Sequence, residues 1–393
     1  MIDFNFVSPT KIFFGKGKEK QIGEICKEFR FKKALLIIGK GSVKKSGLLD
    51  VVINSLKENN IEFFLLEGVR ANPEIGLCRK GIQMAQENKV DSILAVGGGS
   101  VIDTAKNIAC GYYYKGDSFD FNTHKAQPKK ALPIGVILTI AAAGSELSNS
   151  CVIQDDDTNC KSGFNSDLVR PVFAVENPEL TFTVDKYQTA VGIVDIMMHT
   201  LERYLQDSSE NELADRFAEG LLKAVVDAGT IVMKKSDDYE ARATLMLASS
   251  YSHNGITSIG KKFGMPVHQL EHALSGVYPQ VSHGAGLAVL YPAWAKYYLK
   301  YDYQKFAELG RKVFDISGND EVAVAKQFLE DLEKFFTLLK MPKSFRDLHI
   351  DDINYSLLID VFSNKKTRVV PHSKKPMNYQ VAEEIFKIAE RGY

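Results

Sequence analysis

The sequence predicts an α/β domain built on a parallel sheet over residues 1–185, followed by an all-helical domain over residues 186–393. Three observations predict this class. Strand-like and helix-like segments alternate along the first 140 residues. The strand-like segments are short apolar runs without polar alternation, as in a parallel sheet covered on both faces. From about residue 185 onward helical periodicity dominates, and few strand-like runs compete with it. A chain of 393 residues also exceeds what one compact core usually holds.

The elements follow in order. "KALLIIG" (33–39) is an apolar run ending in glycine, and "GLLDVVINSLKENN" (47–60) carries apolar residues at helical spacing. "IEFFLLEGV" (61–69) reads as a strand and "IGLCRKGIQMAQENK" (75–89) as a helix. "DSILAVGGG" (91–99) is a strand running into glycines, "SVIDTAKNIACGYY" (100–113) a helix, and "PIGVILTI" (133–140) a further buried strand. Beyond the boundary, "IVDIMMHTLERYLQ", "ELADRFAEGLLKAVVDAGTIVMKK", "DYEARATLMLASSYSHNG", "VAVAKQFLEDLEKFFTLL" and "VAEEIFKIAERG" all read as helices. No internal repeat and no low-complexity segment is visible.

Composition narrows the function classes. Hydrophobic residues make up 45% of the chain and charged residues 25%, the values of an ordinary soluble globular protein. Lys plus Arg (49) balances Asp plus Glu (49), so no global field favours nucleic acid or an acidic membrane. Small molecules and other copies of the chain are the expected partners. The five cysteines are scattered and form no CxxC, which argues against a disulfide framework or a cysteine zinc site and fits a reduced, cytoplasmic setting. The opening "MIDFNFVSPTKIFFGKG" lacks the features of a signal peptide, and no apolar run is long enough to span a bilayer.

Two glycine-bearing turns sit where a strand hands over to a helix. In "AVGGGSVIDTAK" (95–106), Gly97, Gly98 and Gly99 allow close backbone approach and positive φ, and the helix start that follows is a natural phosphate site. Ser100 and Asp103 also have the S-x-x-D spacing of a capping box, so a purely structural turn stays open. The run is not the GxGxxG dinucleotide fingerprint. In "GKGSVKKSG" (39–47), Gly39 stands where an acid would recognise the ribose 2′-hydroxyl of NAD, with Ser42, Lys44 and Lys45 nearby. This suits a 2′-phosphate; an exposed basic loop is the plain alternative.

Histidine placement raises a second question. "VDIMMHTLERY" (194–204) sets Asp195 and His199 four residues apart, on one face of a helix. "HQLEHALSGVYPQVSH" (268–283) holds three of the eight histidines, His268 and His272 again at i, i+4, and His283 before "GAGLAV". One carboxylate with three imidazoles suits Fe²⁺ or Zn²⁺. Four ligands would leave one of His268, His272 and His283 over, placed for proton transfer near neutral pH. Spacing alone does not say which. A self-satisfied buried polar pair at Asp195 and His199 is the plain alternative. His253 is a nearby candidate, and His124, His349 and His372 read as surface or packing residues.

Together, "GGGSVIDTAK", "AAAGSELS" (141–148), "RPVFAVENPELTFT" (170–183), "GIVDIMMHTLERY", "HQLEHALSGVY" and "SHGAGLAVLYPAW" (282–294) resemble the iron-containing (group III) alcohol dehydrogenases. Within them the chain is most similar to the NADPH-dependent butanol dehydrogenase and broad aldehyde reductase branch. The resemblance implies a Rossmann-like dinucleotide-binding domain followed by an all-helical metal-binding domain, the dehydroquinate synthase-like fold. It implies metal ligation by Asp195, His199, His268 and His283, with Fe²⁺ and Zn²⁺ both admissible, and leaves His272 as the catalytic imidazole. It implies that Gly97, Gly98, Gly99 and Ser100 bind the pyrophosphate and that Asn72, Gly39 and Ser42 lie toward the adenosine half. Thr139, Ser148, Lys161 and Thr183 match cofactor-lining positions, and Asp103 lies toward the nicotinamide. NADP(H) is expected ahead of NAD. Three departures stand out: "TI" (Thr139, Ile140) replaces a common "TT", Ser148 stands where relatives often have Thr or Asn, and the segment before His283 is one residue longer.

The expected activity is reversible hydride transfer between NADP(H) and a primary alcohol or aldehyde resembling butanol or butanal, in a homodimer. A glycerol dehydrogenase, a dehydroquinate synthase-like cyclase and a non-catalytic nucleotide-binding protein of the same fold are the alternatives.

Overall fold

The computed structural model describes residues 1–155, 157–158, 160–205, 211–262 and 264–393. It divides into two compact units, Val7–Val184 and Met1–Phe6 together with Asp185–Tyr393. The first six residues therefore group with the helices and not, as a boundary at 185 implies, with the sheet. They lie outside any strand, and the Ile2 N–H donates to the Gly260 carbonyl (3.0 Å).

The first unit runs β1 (Lys11–Phe14), α1 (Ile22–Glu28), β2 (Lys33–Gly39), α2 (Ser42–Lys45), α3 (Leu48–Glu58), β3 (Glu62–Val69), α4 (Ile75–Glu87) and β4 (Ser92–Gly97). It continues through α5 (Gly99–Gly111), α6 (Phe119–Asn122), β5 (Ile134–Leu138), β6 (Ser150–Asp155), β7 (Cys160–Asn165) and β8 (Phe173–Glu176). Six strands form one parallel sheet in the order β1-β8-β5-β4-β2-β3. Every residue of β4, β5 and β8 is buried. That is why these strands read as unbroken apolar runs: helices cover both faces. Helix α3 buries Leu48, Leu49, Val52, Ser55 and Leu56, a single stripe at helical spacing. The antiparallel hairpin β6–β7 lies in a stretch whose polar residues mask any period-2 signal.

The second unit is helical: α7 (Lys186–Leu205), α8 (Glu212–Lys234), α9 (Tyr239–His253), α10 (Pro266–Val277), α11 (His283–Val313), α12 (Glu321–Leu338), α13 (Tyr355–Ser363) and α14 (Tyr379–Arg391). Helix α7 is the central one, buried almost all round from Thr189 to Leu205, so the polar residues on it must find partners inside the unit. No described helix is long and apolar enough to cross a membrane.

Candidate metal centre and phosphate-binding turn

Strand order reverses between β2 and β4: β3 lies on one side of this pair, and β5 and β8 on the other. In such sheets ligands bind outside the carboxyl ends of the strands at the reversal. Both glycine turns sit there, Gly39–Ser42 after β2 and Gly97–Ser100 after β4. Asn72 follows β3, and Thr139 follows β5 with its N–H donating to the Gly97 carbonyl (3.1 Å). Lys161 lies on β7 opposite Gln154, whose N–H donates to the Pro73 carbonyl beside Asn72 (2.8 Å). Thr183 is exposed near the end of this unit.

Two expectations about the glycine turn need correction. None of Gly97, Gly98 and Gly99 has positive φ. They are needed for space: a Cβ on Gly97 would stand 2.5 Å from Val101 Cγ2, and one on Gly98 would stand 2.3 Å from Ile140 Cγ2. The capping box is also absent. Helix α5 starts at Gly99 with Gly98 as its cap and no side-chain cap bond. Asp103 instead accepts from Ser145 Oγ (2.6 Å) and the Val152 N–H (2.9 Å). Ser148 is buried, and its carbonyl and hydroxyl oxygens accept from Lys106 Nζ, which also donates to the Ser150 carbonyl (2.8 Å). Burial pulls the Lys106 pKa down, and these oxygens satisfy its ammonium. Lys106 and Ser145, which sequence reasoning passed over, thus tie α5 to the loop beneath it. After β2, Ser42, Lys44 and Lys45 are exposed, and Lys44 pairs with Glu67.

In the helical unit, Asp195, His199, His268 and His283 converge. Asp195, His199 and His268 are buried and offer donor atoms within 4.8 Å of one another. Asp195 Oδ1 lies 3.3 Å from His199 Nδ1, 3.7 Å from His268 Nε2 and 3.8 Å from His283 Nε2. Metal–donor bonds of about 2.1 Å set tetrahedral donors roughly 3.4 Å apart, and the distances to the His268 and His283 Nε2 atoms are close to that spacing. Asp195 Oδ1 and His268 Nε2 are buried and lack hydrogen-bond partners. Buried polar atoms are seldom left so; a carboxylate oxygen and an imidazole nitrogen, both able to offer a lone pair to one point, fit a divalent cation. The segment before His283 makes an exposed turn at Pro279 and Gln280, closed by the Val281 N–H to the Tyr278 carbonyl (3.0 Å).

His272 stands beside this group, its ring centroid 6.4 Å from that of His268 and 5.8 Å from that of His283. Its position on α10 also brings it within donor distance of Glu271 and His283. His253 stacks on His199 with centroids 4.0 Å apart. His372 packs against Tyr298 (4.3 Å) and is held down at about 4 by burial and Lys374. His349 and His124 are both exposed.

Two buried carboxylates that sequence reasoning missed complete the centre. Glu202, seven residues after Asp195 on α7, accepts from His268 Nδ1, from the Val267 N–H (2.5 Å) and from the His268 N–H (3.3 Å). Glu271, three residues after His268 on α10, accepts from His283 Nδ1. Both spacings put the acid on its neighbour's helix face, the signal that could have found them. Burial alone would depress the His268 pKa, but Glu202 and Asp195 outweigh it and hold it at about 9. Burial, then His253 and His268, push His199 well below the usual imidazole range.

The glycines of "HGAG" explain how His283 reaches Asp195. A Cβ on Gly284 would lie 2.2 Å from the Val191 carbonyl oxygen, so only glycine lets the start of α11 touch the α7 backbone there. A Cβ on Gly286 would lie 3.0 Å from Glu271 Cγ, so Gly286 makes room for Glu271.

Comparison with known proteins supplies context for this geometry. Residues 9–178 match the family described as iron-containing alcohol dehydrogenase, and residues 189–389 match the Fe-containing alcohol dehydrogenase family, C-terminal. The NADH-dependent butanol dehydrogenase A of Clostridium acetobutylicum is 41% identical over 389 residues, covering 98% of this chain and 99% of that protein. The NADPH-dependent aldehyde reductase YqhD of Escherichia coli is 32% identical over 364 residues, covering 91% and 92%. The crystal structure of NADH-dependent butanol dehydrogenase A from Thermotoga maritima superposes with a TM-score of 0.95 at 34% identity, covering 99% of each chain.

Proposed function

Because the chain belongs to the iron-containing alcohol dehydrogenase family, and is an alcohol dehydrogenase or aldehyde reductase of it, we propose that Asp195, His199, His268 and His283 hold its metal ion and that its reaction is reversible hydride transfer between NADP(H) and a straight-chain primary alcohol or aldehyde. One observation carries the metal assignment: the buried, unpartnered Asp195 Oδ1 and His268 Nε2 stand 3.7 Å apart with His283 Nε2 beside them. A bound Fe²⁺ or Zn²⁺ supplies Lewis acidity toward the substrate oxygen.

The residues of the chain do the rest. Asp195 contributes charge, and His199, held neutral by its burial, contributes a lone pair without first losing a proton. Gly97–Ser100 and the start of α5 receive the cofactor pyrophosphate on free N–H groups. Gly39, Ser42 and Asn72 face the adenosine half, and Asp103, Thr139, Ser148, Lys161 and Thr183 are the further cofactor residues. His272 donates a proton to the oxygen of the aldehyde as hydride reaches its carbon, giving the alcohol and the oxidised cofactor. The NADP(H) preference rests on Gly39, which brings no carboxylate to repel a 2′-phosphate, and on the exposed Ser42 and Lys45. Relatives carry either cofactor in their names, so this preference is specific to the adenine-side residues here.

The test combines elemental analysis with absorbance assays of NADPH and NADH oxidation on butanal, glycerol-derived aldehydes and sugar phosphates. Metal at one equivalent per chain and NADPH oxidation with butanal are expected. His268→Ala protein that keeps full metal would remove the site, and turnover with NADH alone would remove the cofactor preference.

A further inference from the structure

Each histidine of the metal centre has its Nδ1 on an oxygen that can only accept. His199 Nδ1 meets the Asp195 carbonyl (3.0 Å), His268 Nδ1 meets Glu202, and His283 Nδ1 meets Glu271. A carbonyl or carboxylate oxygen takes a hydrogen bond only from an N–H, so all three rings carry their proton on Nδ1. The lone pair is then on Nε2, the atom that His268 and His283 turn toward Asp195.

The holders differ in kind. For His199 the holder is a neutral backbone oxygen on its own helix. For the other two it is a carboxylate, fully buried in each case. A buried charge is costly unless it is paired, and an imidazole N–H is a fitting partner. In return the anion draws the Nδ1 proton toward itself and raises the electron density at Nε2.

We infer that Glu202 and Glu271 are positioning residues that hold His268 and His283 in the Nδ1–H form and strengthen them as metal donors, an inference that rests on the metal site proposed above. Glu202 does more than this. Helix α10 starts at Pro266 after Met265 at φ +48°, with no side-chain cap of its own. Glu202 accepts from two of its orphan N–H groups, so one carboxylate from α7 both caps α10 and turns its first histidine. Glu271 holds His283 from within α10, and its fit depends on the space left at Gly286. The half-exposed His283 is the proposed ligand that such a tether serves most, because part of its side chain is open to solvent.

The experiment measures Co²⁺ and Zn²⁺ affinity by chelator competition, together with the Co²⁺ absorption spectrum, in the full-length protein. Glu271→Gln is the lead variant, since Glu271 caps no helix and the change keeps its shape. A 10- to 100-fold loss of affinity is expected, with a shifted Co²⁺ spectrum and an unchanged melting temperature of the metal-free protein. Glu202→Gln is expected to lose affinity similarly. In His283→Ala protein, adding Glu271→Gln should cost nothing more, because the effect runs through that ring; Glu202→Gln in His268→Ala protein should behave alike. Affinity within twofold of wild type for Glu271→Gln overturns the inference, as does an equal loss in the His283→Ala background. Wild-type protein that binds no metal would bring down the underlying site and this inference with it, whereas wild-type binding unaltered in Glu271→Gln brings down this inference alone.

Discussion

Replacing Gly284 with alanine tests how His283 is delivered to the proposed metal centre. The new Cβ would lie 2.2 Å from the Val191 carbonyl oxygen and 2.9 Å from its carbon. These are backbone atoms of α7, one turn before Asp195, and cannot rotate away. Relief to even 3.0 Å requires α11 to retreat by at least 0.8 Å at its first turn. Metal–ligand distances tolerate about 0.2 Å, so His283, adjacent to the clash, leaves its ligating position. Overpacking of this kind costs about 1–3 kcal/mol, and the melting temperature should fall by roughly 2–4 °C for each kcal/mol. The metal should bind at least about tenfold more weakly, by the same scale that governs ligand-orienting contacts. Chelator competition and thermal melting of metal-free and metal-loaded protein read both effects. Gly220→Ala on α8 is the control: nothing lies within 4 Å of its Cβ, so it should be neutral or stabilising by about 0.5–1 kcal/mol. Wild-type metal affinity in Gly284→Ala protein would refute the argument that this contact delivers His283.

Three further outcomes are expected. Gly39→Asp has room, its Cβ 3.6 Å from the Val69 carbonyl oxygen, and should move the ratio of kcat/KM values toward NADH by about tenfold through repulsion of a 2′-phosphate; an unchanged ratio counts against the adenine-side assignment. In metal-free protein, the pKa of His268 at about 9 lies above its ordinary 6.5, so its contribution is fully present below pH 6.5 and is lost as pH rises through 9, a change of about 3 kcal/mol. His199 is shifted the other way and destabilises as pH falls below 6.5, so melting temperature against pH should peak near 6.5, and a profile flat from 6.5 to 9 would contradict the Glu202–His268 pairing. His272→Ala should retain metal while lowering kcat by about 10²–10⁴-fold and removing one limb of the pH–rate profile; full turnover with an unaltered profile would dismiss it as the proton donor.

The parts of this protein that were legible in the sequence are those where one physical cause acts over a run of residues. Burial on both sides makes β4 "SILAVG" apolar throughout, and amphipathic packing repeats the core residues of α3 every three to four positions. Strand order, set by pairing across long separations, is written in no single segment, and so neither the β2/β4 reversal nor the β6–β7 hairpin was visible. The glycine turn falls between β4 and α5 as expected, but without the expected positive φ. Its residues are glycine because Val101 and Ile140 occupy the space a Cβ would need, a fact of contact between separate segments. The Ser100–Asp103 spacing misled for the same reason: Ser145 and the Val152 N–H, more than forty residues away, compete successfully for the carboxylate.

The proposed metal centre shows where this limit falls within one site. Asp195 and His199 could be paired from their i, i+4 spacing, because a helix fixes that geometry locally. The three histidines of residues 268–283 could not be ranked by spacing, since each is close to the other two. What marks two of them out is the partner each ring finds: Glu202 for His268 and Glu271 for His283. Those partners turn two Nε2 atoms toward Asp195. His272 projects from the same helix as His268 one turn on, and the face it presents is set by α10, whose first turn is itself capped by Glu202. One buried carboxylate on α7 therefore orients a proposed metal ligand directly and the proposed proton donor indirectly. Glu202 substitutions should accordingly disturb metal affinity and the His272 limb of the pH–rate profile together.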